Sequence, residues 1–163
     1  MNAIHRRHLA LAPVIAVCAA LTLAGCARDS DQVVAVEAPK IEGITYVDEG
    51  DAGAGPGDRR VFESNGTDDS GRPVRSDWEL ITISVSDTME VRMARASFVF
   101  HDGSQLLLGG SADYPVGGGT LDRDVVVERP VTGGSGRFAG ARGFVRTTHR
   151  ANDTWRWEFH LYP

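Results

Sequence analysis

Thiol chemistry is nearly missing from this chain. Cys18 and Cys26 are its only cysteines in 163 residues, and both lie near the N-terminus. The rest of the chain has no disulfide and no thiol nucleophile, so it must hold its fold by burial alone. No Gly-x-Ser-x-Gly elbow occurs either, which leaves covalent catalysis without a candidate and the catalytic residues unassigned. His101, His149 and His160 lie far apart with no short-spaced partner, so neither a metal site nor a cofactor is expected. Residues 133–136 are glycine-rich, but a strand rather than a helix follows them, which argues against a phosphate cradle. Helical periodicity of useful length is lacking outside the N-terminal apolar run. Positive charge is also in short supply: 17 basic against 22 acidic residues. Such a chain is a poor partner for nucleic acid.

What is present begins with the N-terminus. Arg6 and Arg7 precede an apolar run from Leu9 to Leu23, which Pro13 interrupts, and Leu23-Ala24-Gly25-Cys26 follows. A basic start, a short apolar stretch and small residues before a cleavage point make a secretory signal, too short for a comfortable membrane span. The cysteine directly after Leu-Ala-Gly resembles the lipobox of bacterial lipoproteins. That resemblance implies cleavage before Cys26, fatty acylation of its thiol and a membrane-anchored place in the cell envelope. Each buried acyl methylene would contribute about 0.8 kcal/mol to the anchor. Loss of residues 1–25 removes Arg6 and Arg7 and brings the net charge from −5 to about −7. The remaining 138 residues suffice for one domain and not for two.

Residues 26–40 are polar and acidic apart from the patch Val33-Val34-Ala35-Val36, and read as a tether. Residues 41–163 read as the domain. Strands are expected at 41–47, 59–64, 78–85, 91–100, 105–114, 121–129, 144–149 and 154–161, from their alternation and β-branched content. Residues 48–58, rich in Gly and Asp, are expected to form a flexible loop, and 65–72 a turn-rich connection. About eight short strands with tight turns predict an all-β fold, a single closed antiparallel eight-stranded barrel. Its interior would be filled by side chains or narrowed to one small-ligand pocket.

One segment carries more than a strand pattern. Val127-Glu128-Arg129-Pro130-Val131-Thr132-Gly133-Gly134-Ser135-Gly136-Arg137-Phe138-Ala139-Gly140-Ala141-Arg142-Gly143-Phe144-Val145 reads as a wide, tightly bent glycine hairpin. It resembles the hairpin of dirigent proteins, allene oxide cyclases and bacterial spirotetronate [4+2] cyclases. The resemblance spans roughly residues 59–162 and implies the same closed barrel. It also implies a cofactor-free cyclase or isomerase that folds a hydrophobic polyene- or ketide-like substrate in the lumen, an intramolecular [4+2] cyclase among the options. The alternative is a non-catalytic, membrane-tethered lipoprotein that binds an apolar ligand or an envelope partner.

Strand parity nominates the lumen residues. Asp113-Tyr114 after Gly110-Ser111-Ala112 is similar to a cyclase pattern whose aromatic lines the substrate pocket, which implies the same for Tyr114. The other reading is a rim tyrosine packed on Pro115. Val145, Thr147 and His149 share the parity that lines the pocket in the cyclases, although threonine stands at 147 where that pattern has a large aromatic. On the strand 91–100, Met93, Arg95, Ser97 and Val99 form one face, and Ala94, Ala96, Phe98 and Phe100 the other. Met93 and Arg95 are taken as lumen candidates, Arg95 with Glu79 or Glu158 in a buried polar cluster. Such a cluster would be structural or the polar end of a binding site. Trp155, Trp157 and Phe159 share one side, which reads as core or a homo-oligomer interface rather than a ligand box. Arg142 reads equally as an ion-pair partner of the acidic loops or as a substrate contact.

Overall fold

A computed structural model describes residues 32–117 and 120–163. The apolar run and Cys26 lie outside the described residues. The elements are β1 (Gln32–Ala38), β2 (Thr45–Val47), β3 (Arg59–Asp68), β4 (Pro73–Val85), β5 (Met89–Phe100), β6 (Gln105–Pro115), β7 (Val126–Ser135), β8 (Gly143–His149) and β9 (Trp155–Leu161). A single 3₁₀ turn, Gly136–Phe138, follows β7.

From β3 to β9 each strand pairs antiparallel with the next, a meander in sequence order. β1 closes it. It pairs with β9 along its whole length, from Gln32 opposite Leu161 to Ala38 opposite Trp155. It also meets β3 through Val36–Asp68 and Glu37–Thr67. The result is a closed eight-stranded antiparallel barrel, with β2 added to β3 at Val61, Arg60 and Arg59. Closure requires a glycine: a Cβ on Gly66 would lie 2.3 Å from the Glu37 carbonyl oxygen. β1 therefore corrects the reading of 26–40 as a tether. Its Val34, Val36 and Ala38 turn inward, and only the partner strand β9, far away in sequence, makes that weak alternation a strand.

The other departures are local. β3 runs on to Asp68, through what was expected to be a turn. Of 41–47 only Thr45–Val47 is strand. β7 starts at Val126 and carries Gly133 and Gly134 within it, opposite Leu107 and Leu106. The chain reverses later, across 136–142. Between Leu107 and Leu108 the β6–β7 register shifts by a bulge that leaves Thr132 unpaired. Beyond Leu108 no β6–β7 pairing continues, and Pro130 has no N–H to extend it. The two strands part at that end of the barrel.

Alternation decides what fills the interior. On β4, Val74, Ser76, Trp78, Leu80 and Thr82 are buried; on β5, Glu90, Arg92, Ala94, Ala96, Phe98 and Phe100. Phe98 stands edge-on to Phe159 at 4.9 Å and to Trp157 at 5.3 Å. A fully buried ring of this kind contributes roughly 1.5–3 kcal/mol through its burial alone. Phe100 and Phe138 seal one end, 4.9 Å apart, with the Arg137 guanidinium over both rings. The Trp155, Trp157 and Phe159 face is buried within a single chain, which makes it core, and Trp155 and Trp157 also wall a cavity, which corrects the reading of this face as no ligand box. The opposite end of the barrel is open.

Candidate functional site

At the open end the interior holds a cavity of about 620 Å³. Its apolar wall comprises Phe62, Trp78, Leu80, Leu121, Trp155 and Trp157, and Ile41 and Ile44 reach over it from the β1–β2 connection. Its polar wall comprises Arg60, Arg92, Tyr114, Arg129, Thr147 and His149. The apolar part is built by aromatics from β3, β4 and β9; the polar part by β3 and by β5 to β8.

The polar groups form a connected band. Buried Glu90 accepts from Arg92 Nε at 2.8 Å and from Arg60 at 3.3 Å through the same oxygen, Oε2. Arg60 also donates to Thr82 Oγ1 at 3.2 Å. The Arg92 guanidinium lies over the Tyr114 ring at 4.5 Å, and Arg129 donates to the Tyr114 hydroxyl oxygen at 2.7 Å. That last bond crosses the place where β6 and β7 part. Burial by itself would raise the Glu90 carboxyl; the hydrogen bond and charge of Arg92, with Arg60, outweigh it and hold Glu90 below the ordinary carboxylate value. Burial, and then the neighbouring Arg92 cation, lower Arg60. At the rim His149 stacks on Trp155 at 4.6 Å, with Nδ1 3.0 Å from the Leu121 carbonyl and Nε2 3.3 Å from Asp153.

A clasp beside the band fixes β2. Asp58 accepts from the Tyr46 hydroxyl and from the backbone N–H groups of Gly55 and Glu49, so the C-terminal end of the 48–58 loop is anchored, contrary to expectation. These donors, Tyr46 foremost, bring the Asp58 carboxyl down to about 2, and the same bond to Asp58 pushes the Tyr46 phenol up to about 12. The sign follows. Asp58 supports the clasp fully above its ordinary value of 3.8 and gives that support up as the pH falls through about 2. In an acid titration by NMR, the Glu49 and Gly55 amide resonances should move together with a midpoint near 2. A midpoint at the ordinary 3.8 would contradict the clasp.

Of the residues nominated from sequence, Tyr114, Thr147 and His149 line the cavity. Val145 also faces inward but is packed in the core, away from the cavity. Met93 and Arg95 must be corrected. Their parity is the outer one, and Arg95 pairs across strands with Glu79 on the barrel's exterior. Glu158 is likewise outside, bonded to Arg156 at 3.1 Å. A buried arginine–glutamate cluster does exist, made by Arg60, Glu90 and Arg92. They share parity with Phe62 on β3 and with Phe98 and Phe100 on β5, which becomes a signal only once that face is known to look inward. Arg142 ties down the C-terminus through the Pro163 carbonyl. Among the described residues no group of three or more His, Cys, Asp or Glu could hold a metal ion.

No protein-family model and no curated protein matches the chain. Solved structures are similar in fold. One is described as pyocyanin demethylase, with TM-score 0.60, 17% identity, and 80% of this chain and 98% of that one covered. Another is the pterocarpan synthase dirigent protein GePTS1, with TM-score 0.59, 14% identity, and coverage of 91% and 98%. The fold is a dirigent-like barrel. The Diels Alderase AbmU from Streptomyces koyangensis shares it at TM-score 0.50 and 17% identity, over 86% of this chain and 72% of that one. At these identities the barrel is what the comparison establishes; the cavity's chemistry rests on this chain's own residues.

Proposed function

We propose that the protein binds a small, largely apolar molecule in the barrel cavity and cyclises or isomerises it without a cofactor. One observation carries the reading: an aromatic cavity of about 620 Å³ closes on a hydroxyl, Tyr114, whose oxygen already accepts from Arg129. A hydroxyl that accepts one N–H keeps its own proton to give. Tyr114 is thereby suited to polarise a substrate carbonyl, and the rings of Trp78, Trp155 and Trp157 to hold a flexible chain near its attack geometry. Such a reaction is balanced within the substrate. A [4+2] closure, for instance, turns three π bonds into two σ bonds and one π bond, and needs no co-reactant. The three similar structures, described as a demethylase, a pterocarpan synthase and a Diels Alderase, support a barrel that takes small molecules, and the last of them supports cyclisation.

Leu23-Ala24-Gly25-Cys26 supports placement in the cell envelope with Cys26 lipidated. β1 starts at Gln32, at the sealed end, and ends at Ala38 beside the cavity. An anchor at Cys26 would put the sealed end toward the membrane and the mouth away from it. The same motif supports the second reading, a tethered carrier that binds without turnover.

Native mass spectrometry of the protein from its own host tests both halves. The expected result is an acylated mature chain starting at Cys26, carrying an apolar small molecule that is converted on incubation. Tyr114→Phe should slow that conversion about a hundredfold, the scale of one lost transition-state donor. Ligand bound but never converted leaves the carrier. An apo protein that takes up nothing from lipid and polyketide libraries ends both readings, and an unmodified Cys26 ends the anchor.

A further inference from the structure

We infer that the polar band of the lumen is a seat for the carboxylate of an otherwise aromatic or apolar ligand. The inference rests on the reading of the lumen as the binding site. Its starting point is Arg129, which is 2% exposed and whose Nε has no hydrogen-bond partner. A guanidinium cannot shed its charge, and a buried cation without a counter-ion is strongly disfavoured. Yet no buried carboxylate is bonded to Arg129. Glu90 gives one oxygen, Oε2, to Arg60 and Arg92, while its other, Oε1, has no partner; Asp58 is taken by Tyr46. Among the described residues Arg129 has only the neutral Tyr114 hydroxyl.

Two more unpartnered donors stand in the same wall. Thr147 Oγ1 and Trp157 Nε1 are without partners, at 2% and 1% residue exposure. Thr147 and Trp157 face each other directly across β8 and β9. Arg129 is the diagonal neighbour of Thr147, since Val127 pairs with Thr147 and Arg129 with Val145. All three line the cavity. Arginine and indole N–H groups only donate, so what completes them is an acceptor, and the uncompensated charge makes that acceptor anionic. A carboxylate meets both demands, being acceptor-only and a good partner for a guanidinium. The aromatic wall takes the rest of the molecule.

The three tryptophans of the chain, Trp78, Trp155 and Trp157, all line the cavity, so binding reads out as quenching of their fluorescence and, independently, as heat. The probes are 2-naphthoate and its neutral isostere 2-naphthamide, titrated into the full chain. Naphthoate should bind about tenfold tighter or more, the scale of one charge-assisted hydrogen bond. Arg129→Gln should abolish that preference, read as the ratio of naphthoate to naphthamide affinity, while Arg129→Lys retains part of it. Equal affinity of both probes for the unsubstituted protein would overturn the carboxylate seat and leave the lumen reading standing. Failure of both probes to quench or release heat would remove the lumen reading and the seat with it. If Arg129→Gln binds neither probe, the lysine variant decides: naphthamide bound without a naphthoate preference overturns the seat.

Discussion

A chain shortened to begin at Lys40 loses its cooperative fold, whereas one that keeps residues from Gln32 onward retains it. The shorter chain is what the sequence alone recommends as the soluble domain, and it lacks β1 entirely. β1 supplies the pairings with β9 from Gln32–Leu161 to Ala38–Trp155 and the contact with β3 that closes the barrel. Burial of Val36 alone is worth about 1.5–3 kcal/mol, against a total stability of roughly 5–15 kcal/mol for a domain. Removal of β1 would also bare one face of the interior at Trp157 and Phe159 and leave β9 as an open edge, a template for aggregation. Size-exclusion chromatography and urea denaturation followed by far-UV circular dichroism distinguish the two chains. A monomeric Lys40–Pro163 chain with a single sharp transition like that of the longer one would show that closure by β1 is dispensable.

Glu90→Gln should destabilise the protein by about 3–5 kcal/mol at neutral pH, because it leaves two buried guanidiniums without their shared anion. Glu90 is fully buried, Arg92 nearly so, and Arg60 is 7% exposed. The control is Arg95→Ala on the outer face, where the cost should stay within about 0.5 kcal/mol. The pH dependence adds a second check. The Glu90 carboxyl is held below its ordinary value, so its contribution is complete above that ordinary value and disappears as the pH falls through the lowered one. The gap between the two proteins should therefore close in acid, where protonated Glu90 resembles glutamine. Urea midpoints across the pH range measure it. A gap that is small at neutral pH, or that does not shrink in acid, would mean that Glu90 is not the ion the arginines depend on. Replacing a whole buried ion cluster by apolar residues is often neutral or stabilising, so stability alone does not account for three guanidiniums inside this barrel. The carboxylate seat inferred above would.

The residues show how far a sequence goes. Most strands from β3 to β9 were legible because each alternates over enough residues to give its own period-2 signal; β7 was placed too early, because its second half is the glycine-rich run that reads as a turn and only pairing with β6 makes it strand. Tyr114, Thr147 and His149 were legible as inward residues through the resemblance to the cyclase pattern; alternation by itself offered two faces without choosing one. β1 was not, because Val33-Val34-Ala35-Val36 has meaning only against β9, far along the chain. Arg60, Glu90, Arg92 and Arg129 were not, because charge on a strand normally points to water, and only an inward face with partners reverses that. Met93 and Arg95 were assigned inward by the same uncertainty in the opposite direction. By itself, then, the sequence determined the class of fold and two faces for every strand it marked, since these follow from local alternation and turn chemistry; it reached eight strands by counting 41–47, which lies outside the barrel, in place of β1. Which face looks into the lumen, which strand closes the barrel and where the buried charges meet were decided by tertiary structure alone. Parity is a local property, but inside and outside exist only once the sheet has closed on itself.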